Sequence, residues 1–232
     1  MRETAMFPLS SVLMPHMPLP LRIFESRYLV MLGRLLDDDD PRFGVVLIER
    51  GPEAGGGEQR FSVGTLARVS RVAAREDDLQ LVAVGGGRFE VERWLDDDPY
   101  PRAIVRELPM PPWRDDLLPL RERAEQTVRR LLSMSAEFAE LPWDADIELA
   151  DDPEHACWQL AGIAPLSTLD HLALLQASSL DQLLADLIAR CDEAEPVLTA
   201  GTPDGAFGAE LDRLLDDVEG DEESPGPADG DR

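Results

Sequence analysis

The amino-acid sequence predicts an α+β protein: an antiparallel sheet, closed or covered on both faces, with one inserted helix, then a bundle of helices and an acidic tail. Three observations predict it. Up to about residue 109, apolar runs of strand length alternate with turn-like clusters; from about 115, apolar residues recur at helical spacing; after 198, the chain turns to Gly, Pro and acids. The boundaries drawn are 1–110, 111–198 and 199–232. With 232 residues, 44% of them hydrophobic, the chain can build a sizeable core.

The first element is a proline-rich, extended lead-in, "FPLSSVLMPHMP" (7–18), which runs into "LPLRIFESRY" (19–28). Pro18 and Pro20 hold this stretch extended, and since proline has no N–H to give a ladder, the strand belongs at an edge or a bulge. Phe24, Tyr28, Met31, Leu32 and Leu35 then recur at i, i+4, i+7, i+8 and i+11, a helix that the aspartates 37–40 and Pro41 end. Strands are predicted at 43–49, 61–73, 78–85, 88–95 and 101–108, separated by "EDD" (76–78), Gly85–Gly87 and "DDDPYP" (96–101). Both faces of "LQLVAV" (79–84) are apolar, hence the closed or doubly covered sheet. The glycine triplet reads as a turn with positive φ, or as a bulge.

The helical part starts with a stripe of Leu120, Ala124, Val128, Leu131, Leu132, Ser135 and Phe138, predicting a helix over 116–140 about 35 Å long. Trp113, with Pro109, Pro111 and Pro112, marks the joint before it. Pro142 and "WDADIELADD" (143–152) break the pattern, and helices follow at 153–163, 168–177 and 180–195. Ser167 with Asp170, and Ser179 with Gln182, carry the spacing of a hydroxyl cap and a polar residue reaching back to it. In the tail, Phe207, Leu211, Leu214, Leu215 and Val218 form a short amphipathic piece in a stretch expected to be disordered. That piece is either a docking helix or a frayed one.

Net charge is −25, from 47 acidic and 22 basic residues, which disfavours phosphate backbones and anionic lipid. Neither nucleic acid nor membrane is expected as a partner. No apolar run approaches the roughly 20 residues that span a bilayer, and no secretory leader is evident, so a cytoplasmic location is expected. Cys157 and Cys191 read as reduced core thiols. All 22 basic residues are Arg. Without lysine there is no phosphate-binding loop of the G-x-x-x-x-G-K-[ST] type, no Schiff-base amine and no Ser–Lys dyad, and Arg cannot substitute because it stays protonated. Asparagine is absent too, which removes Cys–His–Asn arrangements.

His155 and Cys157, at i and i+2, point to different helix faces, so with His171 they make no metal site; a solvated His155 and a packed Cys157 are expected. Arg22, Glu25 and Arg27 beside Tyr28 resemble an acid/base pair with a cationic clamp, but nothing supplies a nucleophile. The structural reading is preferred: Glu25 faces the positive end of the helix dipole and pairs with an arginine. The acidic runs 37–40, 96–98 and 115–116 are read as solvated turns. No catalytic residue, cofactor or metal ligand is assigned.

Taken as a set, "FPL" (7–9), "MP" (14–15), "LPLRIFESRY" (19–28), "FGVV" (43–46), "VGTLARV" (63–69) and the G-x-x-R-F spacing of Gly85, Arg88 and Phe89 resemble the N-terminal substrate-binding domain of Lon proteases over about residues 5–108. The stretch "PLSTLDHLALLQASSLDQLLADL" (165–187) resembles the helical extension that follows it in that family. The resemblance implies a PUA-like β-barrel and a helical bundle that recognise unfolded or tagged polypeptide. The family's ATPase and peptidase modules would follow residue 200 and would need lysine. A stand-alone, non-catalytic recognition module is therefore expected, an adaptor for a separate protease or chaperone with its apolar surface in the cleft between barrel and bundle. Residues carried over from the motifs are Pro20, Arg22, Phe24, Glu25, Arg27, Tyr28, Gly64, Gly85, Arg88 and Phe89, as structural and candidate binding positions. Two alternatives stand beside this reading: an RNA-binding module, because PUA-like barrels can bind RNA, and a peptidase activity of the chain itself.

Overall fold

Why the N-terminal half folds as it does is clearest from its strand pairings. The computed structural model describes residues 1–53, 59–74 and 79–200. Its strands are β1 (Arg2–Leu9), β2 (Pro18–Ile23), β3 (Arg42–Arg50), β4 (Gln59–Ala74), β5 (Leu79–Leu95) and β6 (Arg102–Glu107), with α1 (Ser26–Leu35) between β2 and β3. A 3-10 turn, Asp115–Leu117, leads into α2 (Leu118–Ser135), α3 (Pro153–Ile163), α4 (Thr168–Leu175) and α5 (Leu180–Ala200). Met1–Asp192 is one compact unit, and a second begins at Glu193, within α5. The turn 76–78 and the amphipathic piece 207–218 lie outside the described residues.

The sheet order is β2-β5-β4-β3-β1-β6, and β6 also pairs with β5, so the pairings run through five strands and return to β5. The proline strand β2 stands outside this cycle, paired with β5 and at an edge, the place a strand lacking N–H donors tolerates. Not every pairing is antiparallel as expected. Met6 to Leu9 of β1 run parallel to Gly44–Leu47 of β3, while Arg2 to Ala5 run antiparallel to β6. A parallel pair needs a long crossover, which β2 and α1 provide. β1 itself is not among the predicted strands: its buried residues are contiguous rather than alternating, and Pro8 sits inside it.

The glycine triplet is not a turn between two strands. β5 runs unbroken for 17 residues, and between the pairs Thr65↔Arg88 and Ala67↔Gly85 β4 advances two residues while β5 advances three. The triplet is thus the bulge of the two readings, and bulges bend the strand that carries them. Positive φ is found, among the described glycines, only at Gly51. Gly85 is required by close approach: a Cβ there would collide with the carbonyl oxygen of Met14. Its N–H donates to the Met17 carbonyl at 2.9 Å, and its own carbonyl accepts from the His16 N–H at 2.8 Å.

Met6, Val46, Leu66, Phe89, Ala103 and Val105 form a buried cluster from five strands, with Val91 and Trp94 packed against it. In the helical half, α2 is shorter than predicted, 18 residues or about 27 Å. Ala124, Val128, Leu131, Leu132 and Ser135 are buried, but residues 136–140 are all exposed, Phe138 among them, so no packing sustains a further turn. α3 starts where Asp152 accepts from the N–H groups of Glu154 and His155, each at 3.0 Å. α4 starts where the Ser167 hydroxyl accepts from the Asp170 N–H at 3.2 Å. At α5 the Ser179 hydroxyl accepts from the Gln182 N–H, while the Gln182 side chain reaches back one residue further than expected, to Ser178.

Candidate functional site

The turn from β2 into α1 sets the site. Alternation along β2 buries Ile23, leaves Leu19 and Leu21 half-buried and exposes Pro18, Pro20 and Arg22. Glu25 is the N-cap of α1 with extended backbone, and Tyr28, one turn in, is buried. These residues, with the end of β1 and Glu53 beyond β3, line a cavity of about 400 Å³. Its lining is Phe7, Leu9, Ser10 and Ser11, then Leu19 to Glu25, Tyr28 and Glu53. Phe7 and Tyr28 pack with ring centroids 4.2 Å apart, and Phe7 reaches Phe43 at 5.9 Å.

Polar groups stand at the rim. Glu53 accepts from the Ser10 N–H at 2.9 Å and from the Ser10 hydroxyl at 3.3 Å, fastening the end of β3's extension to the end of β1. The Arg27 Nε donates to Glu25 at 3.1 Å, and the Arg27 guanidinium lies 4.5 Å from the Tyr28 ring centroid. Phe24, expected on the apolar stripe of the helix, instead precedes the helix and is 61% exposed. A large exposed aromatic next to buried apolar walls is the feature of this surface that core packing does not explain. No histidine or cysteine lines the cavity, and the Ser10 hydroxyl reaches only the exposed Glu53 carboxylate, a weak base. The arrangement suits binding of an apolar group.

The motif residues thus fall into two places. Pro20, Arg22, Phe24, Glu25 and Tyr28 line the cavity, with Arg27 bonded to Glu25 behind it. Gly64, Gly85, Arg88 and Phe89 do not touch it. Phe89 is fully buried in the strand core, and a Cβ on Gly64 would stand 2.7 Å from its Cζ. Arg88 is 3% exposed and ties β5 to the helices. Its Nη1 donates to the carbonyls of Leu175 and Ala177, each at 2.7 Å, its Nη2 donates to Pro109 at 2.8 Å, and its guanidinium lies 4.9 Å from the Trp158 ring centroid. Two of those carbonyls are at the C-terminal end of α4, where a cation also meets the negative end of the helix dipole. Burial alone lowers the Arg88 pKa from its ordinary value.

The joint between strands and helices is therefore filled, not cleft-like, and all of the cavity's lining comes from residues 7–53. Trp113, expected to mark that joint, is half-buried and donates to Asp115 at 3.1 Å. His155 is half-buried rather than freely solvated, its ring stacked on that of His16 with centroids 3.7 Å apart. Cys157 is fully buried, as is Cys191. Sequence reasoning passed over Phe7, Leu9 and Glu53 as site residues. Phe7 and Leu9 carried a signal, since they belong to the quoted "FPL", whereas Glu53 carried none.

Comparison with known proteins bears on this site. No curated protein matches the chain. Among solved structures it resembles a Lon N-terminal domain protein from Xanthomonas campestris, at 26% identity and a TM-score of 0.58 over 82% of this chain and 98% of that one. It also has the fold of the N-terminal domain of a Mycobacterium avium complex Lon protease, at 14% identity and a TM-score of 0.58 over 83% and 99% of the two chains. Residues 3–190 match the family described as the ATP-dependent protease La (LON) substrate-binding domain, which is most of the chain and takes in the cavity, the Arg88 joint and the helices through the first half of α5. The chain belongs to that substrate-binding-domain family.

Proposed function

We propose that this chain is a non-catalytic recognition module for unfolded or extended polypeptide, built as a barrel backed by a helical bundle and serving in the cytoplasm as an adaptor for a separate protease or chaperone. The observation that carries the reading is the cavity under Phe24: apolar walls, a polar rim and one exposed aromatic at its mouth. Its volume suits one or two large apolar side chains. Burying each such side chain is worth about 1.5–3 kcal/mol, enough for micromolar binding when several contacts act together. Strand addition at β2 is the less suitable mode, because Pro18 and Pro20 blunt that edge. Side-chain capture by the cavity is the mode proposed.

The test is fluorescence anisotropy with a labelled, permanently unfolded casein, followed by a peptide array. The parent chain should bind, with apolar peptides preferred, and Phe24→Ser should weaken binding about tenfold, or ~1.4 kcal/mol, while leaving the melting temperature unchanged. Failure of the parent to bind any polypeptide, or equal binding by Phe24→Ser, would overturn the reading.

A further inference from the structure

A second cavity, of about 250 Å³, is lined by His16, Arg42, Leu66, Arg68, Val84 and the glycine run 85–87. None of these residues is acidic, in a chain with 47 acids against 22 arginines. Arg42 and Arg68 are direct partners in the β3–β4 ladder. Directly opposed residues hold their Cβ atoms about 5 Å apart, and like charges in that position destabilise a sheet. A local conflict of this kind, kept in an otherwise consistent fold, points to function.

The positive charge is only partly offset. Asp40 pairs with Arg42, whereas the Arg68 side chain makes no hydrogen bond or ion pair among the described residues. The Asp40 carboxyl is held below its ordinary range, first by the hydrogen bond from Arg42, then by the charges of Arg42, Arg68 and Arg2, so the field here favours a negative group. The wall formed by the bulge carries no side chains: the Cβ position of Gly87 faces open space, and that of Gly86 meets only the Leu66 carbonyl, at 3.2 Å. Two arginines and a stretch of bare backbone line one cavity, and planar guanidinium forks match the oxygens of a carboxylate or a phosphate.

We propose that this pocket binds a compact oxyanion, a phosphate or a carboxylate group, between Arg42 and Arg68 above the glycine strand, with His16 at its wall. The proposal goes beyond polypeptide recognition and shares no lining residue with the cavity under Phe24. Either site can therefore fail alone.

The full chain is titrated, with the arginine Nε–Hε resonances followed by NMR, using inorganic phosphate, a short peptide ending in a free carboxylate, the same peptide amidated, and sodium chloride at matched ionic strength. Arg42 and Arg68 resonances should shift saturably with phosphate, with the free-acid peptide, or with both; which of them does so identifies the source of the oxyanion. Arg68→Gln should weaken that binding about tenfold, and Arg42→Gln, a second variant on the same ladder, should do likewise. Asp40→Asn should strengthen it about two- to fivefold, because the competing carboxylate is gone. Arg68 is exposed, so its variant should melt like the parent. Equal shifts with chloride, no saturable shift with any probe, parent-like affinity in both arginine variants, or weaker binding in Asp40→Asn would each overturn the proposal.

Discussion

Replacing Arg88 with Met keeps most of the volume of the side-chain stem and removes the guanidinium, which isolates the role of the joint between strands and helices. Three charge-assisted hydrogen bonds disappear, to Leu175, Ala177 and Pro109. Each is worth about 1.5–3 kcal/mol, but the three are not additive, and removing the buried guanidinium also relieves its own desolvation. The acceptors are backbone carbonyls, which no compensating substitution can remove, so those of Leu175 and Ala177 remain as buried groups lacking their donor, while water can reach the exposed Pro109. The lost contact with the Trp158 ring adds about 0.5–2 kcal/mol. The net expected loss is about 3–5 kcal/mol, from two buried carbonyls left without a donor at about 1–3 kcal/mol each and the lost ring contact. At about 2–4 °C per kcal/mol for a domain of this size, the melting temperature should fall by about 6–20 °C. Arg88→Lys, one ammonium in place of a fork that serves three carbonyls, should recover only part of this. Urea unfolding followed by near-UV circular dichroism measures both variants. If Arg88→Met lies within about 1 kcal/mol of the parent, the joint is held by apolar packing and not by the guanidinium.

Gly64→Ala places a Cβ 2.1 Å from the Val45 carbonyl oxygen and 2.7 Å from the Phe89 ring, so the backbone itself must shift and a loss of about 3 kcal/mol or more is expected in the same unfolding assay; unchanged stability would contradict the observed packing of β3, β4 and β5. Burial pushes the Cys157 thiol up to about 11 and that of Cys191 up to about 12, so neither should react with Ellman's reagent at neutral pH until denaturant is added; a thiol that reacts in the folded protein would show the helices opening locally. Stability should fall as pH drops below about 6.5. Burial lowers the pKa of His16 and of His171; repulsion by His155 adds to the effect at His16, and Asp152 opposes it there. A folded-state pKa below the unfolded one means that the unfolded chain takes up the proton first, so stability is lost from about 6.5 down through the folded values and levels off beneath them. The lowered carboxyls Asp152 and Asp170 act in a separate window, below their ordinary 3.8. Urea midpoints at pH 7.5 and 5.5 should differ in the parent, and the His16→Gln, His171→Gln double variant should flatten the difference.

The parts of the fold legible in the sequence are those whose signal is local. α3 falls on 153–163, directly after the break at 142–152, Ser167 caps α4, and Pro18 and Pro20 place β2 at an edge. What escaped was set by distant neighbours. β1 lacks alternation because its second half, Met6 to Leu9, is buried residue after residue beside β3. The continuity of β5 through three glycines depends on the 14–17 segment clasping Gly85, which no spacing within 78–95 reveals. Arg88 is marked by the G-x-x-R-F spacing, but its role is not, since its partners are main-chain carbonyls up to 89 positions away and carry no side-chain identity to match.

The same physics separates the motif residues that the sequence presents as one group. Gly64, Gly85, Arg88 and Phe89 meet backbone or core at distances that leave no space for change, and substituting them tests the fold. Phe24 has the opposite character: it satisfies the helical spacing with Tyr28, yet most of its surface faces solvent above an apolar cavity. An exposed phenylalanine contributes little to folding, and under the proposed function its contact is with the bound polypeptide. Periodicity cannot make this distinction, because a residue lining a groove and a residue filling a core share the same apolar pattern. Glu25 lies between the two groups, bonded to Arg27 at the start of α1 and lining the same cavity, so its replacement should disturb the helix start and the rim of the groove together.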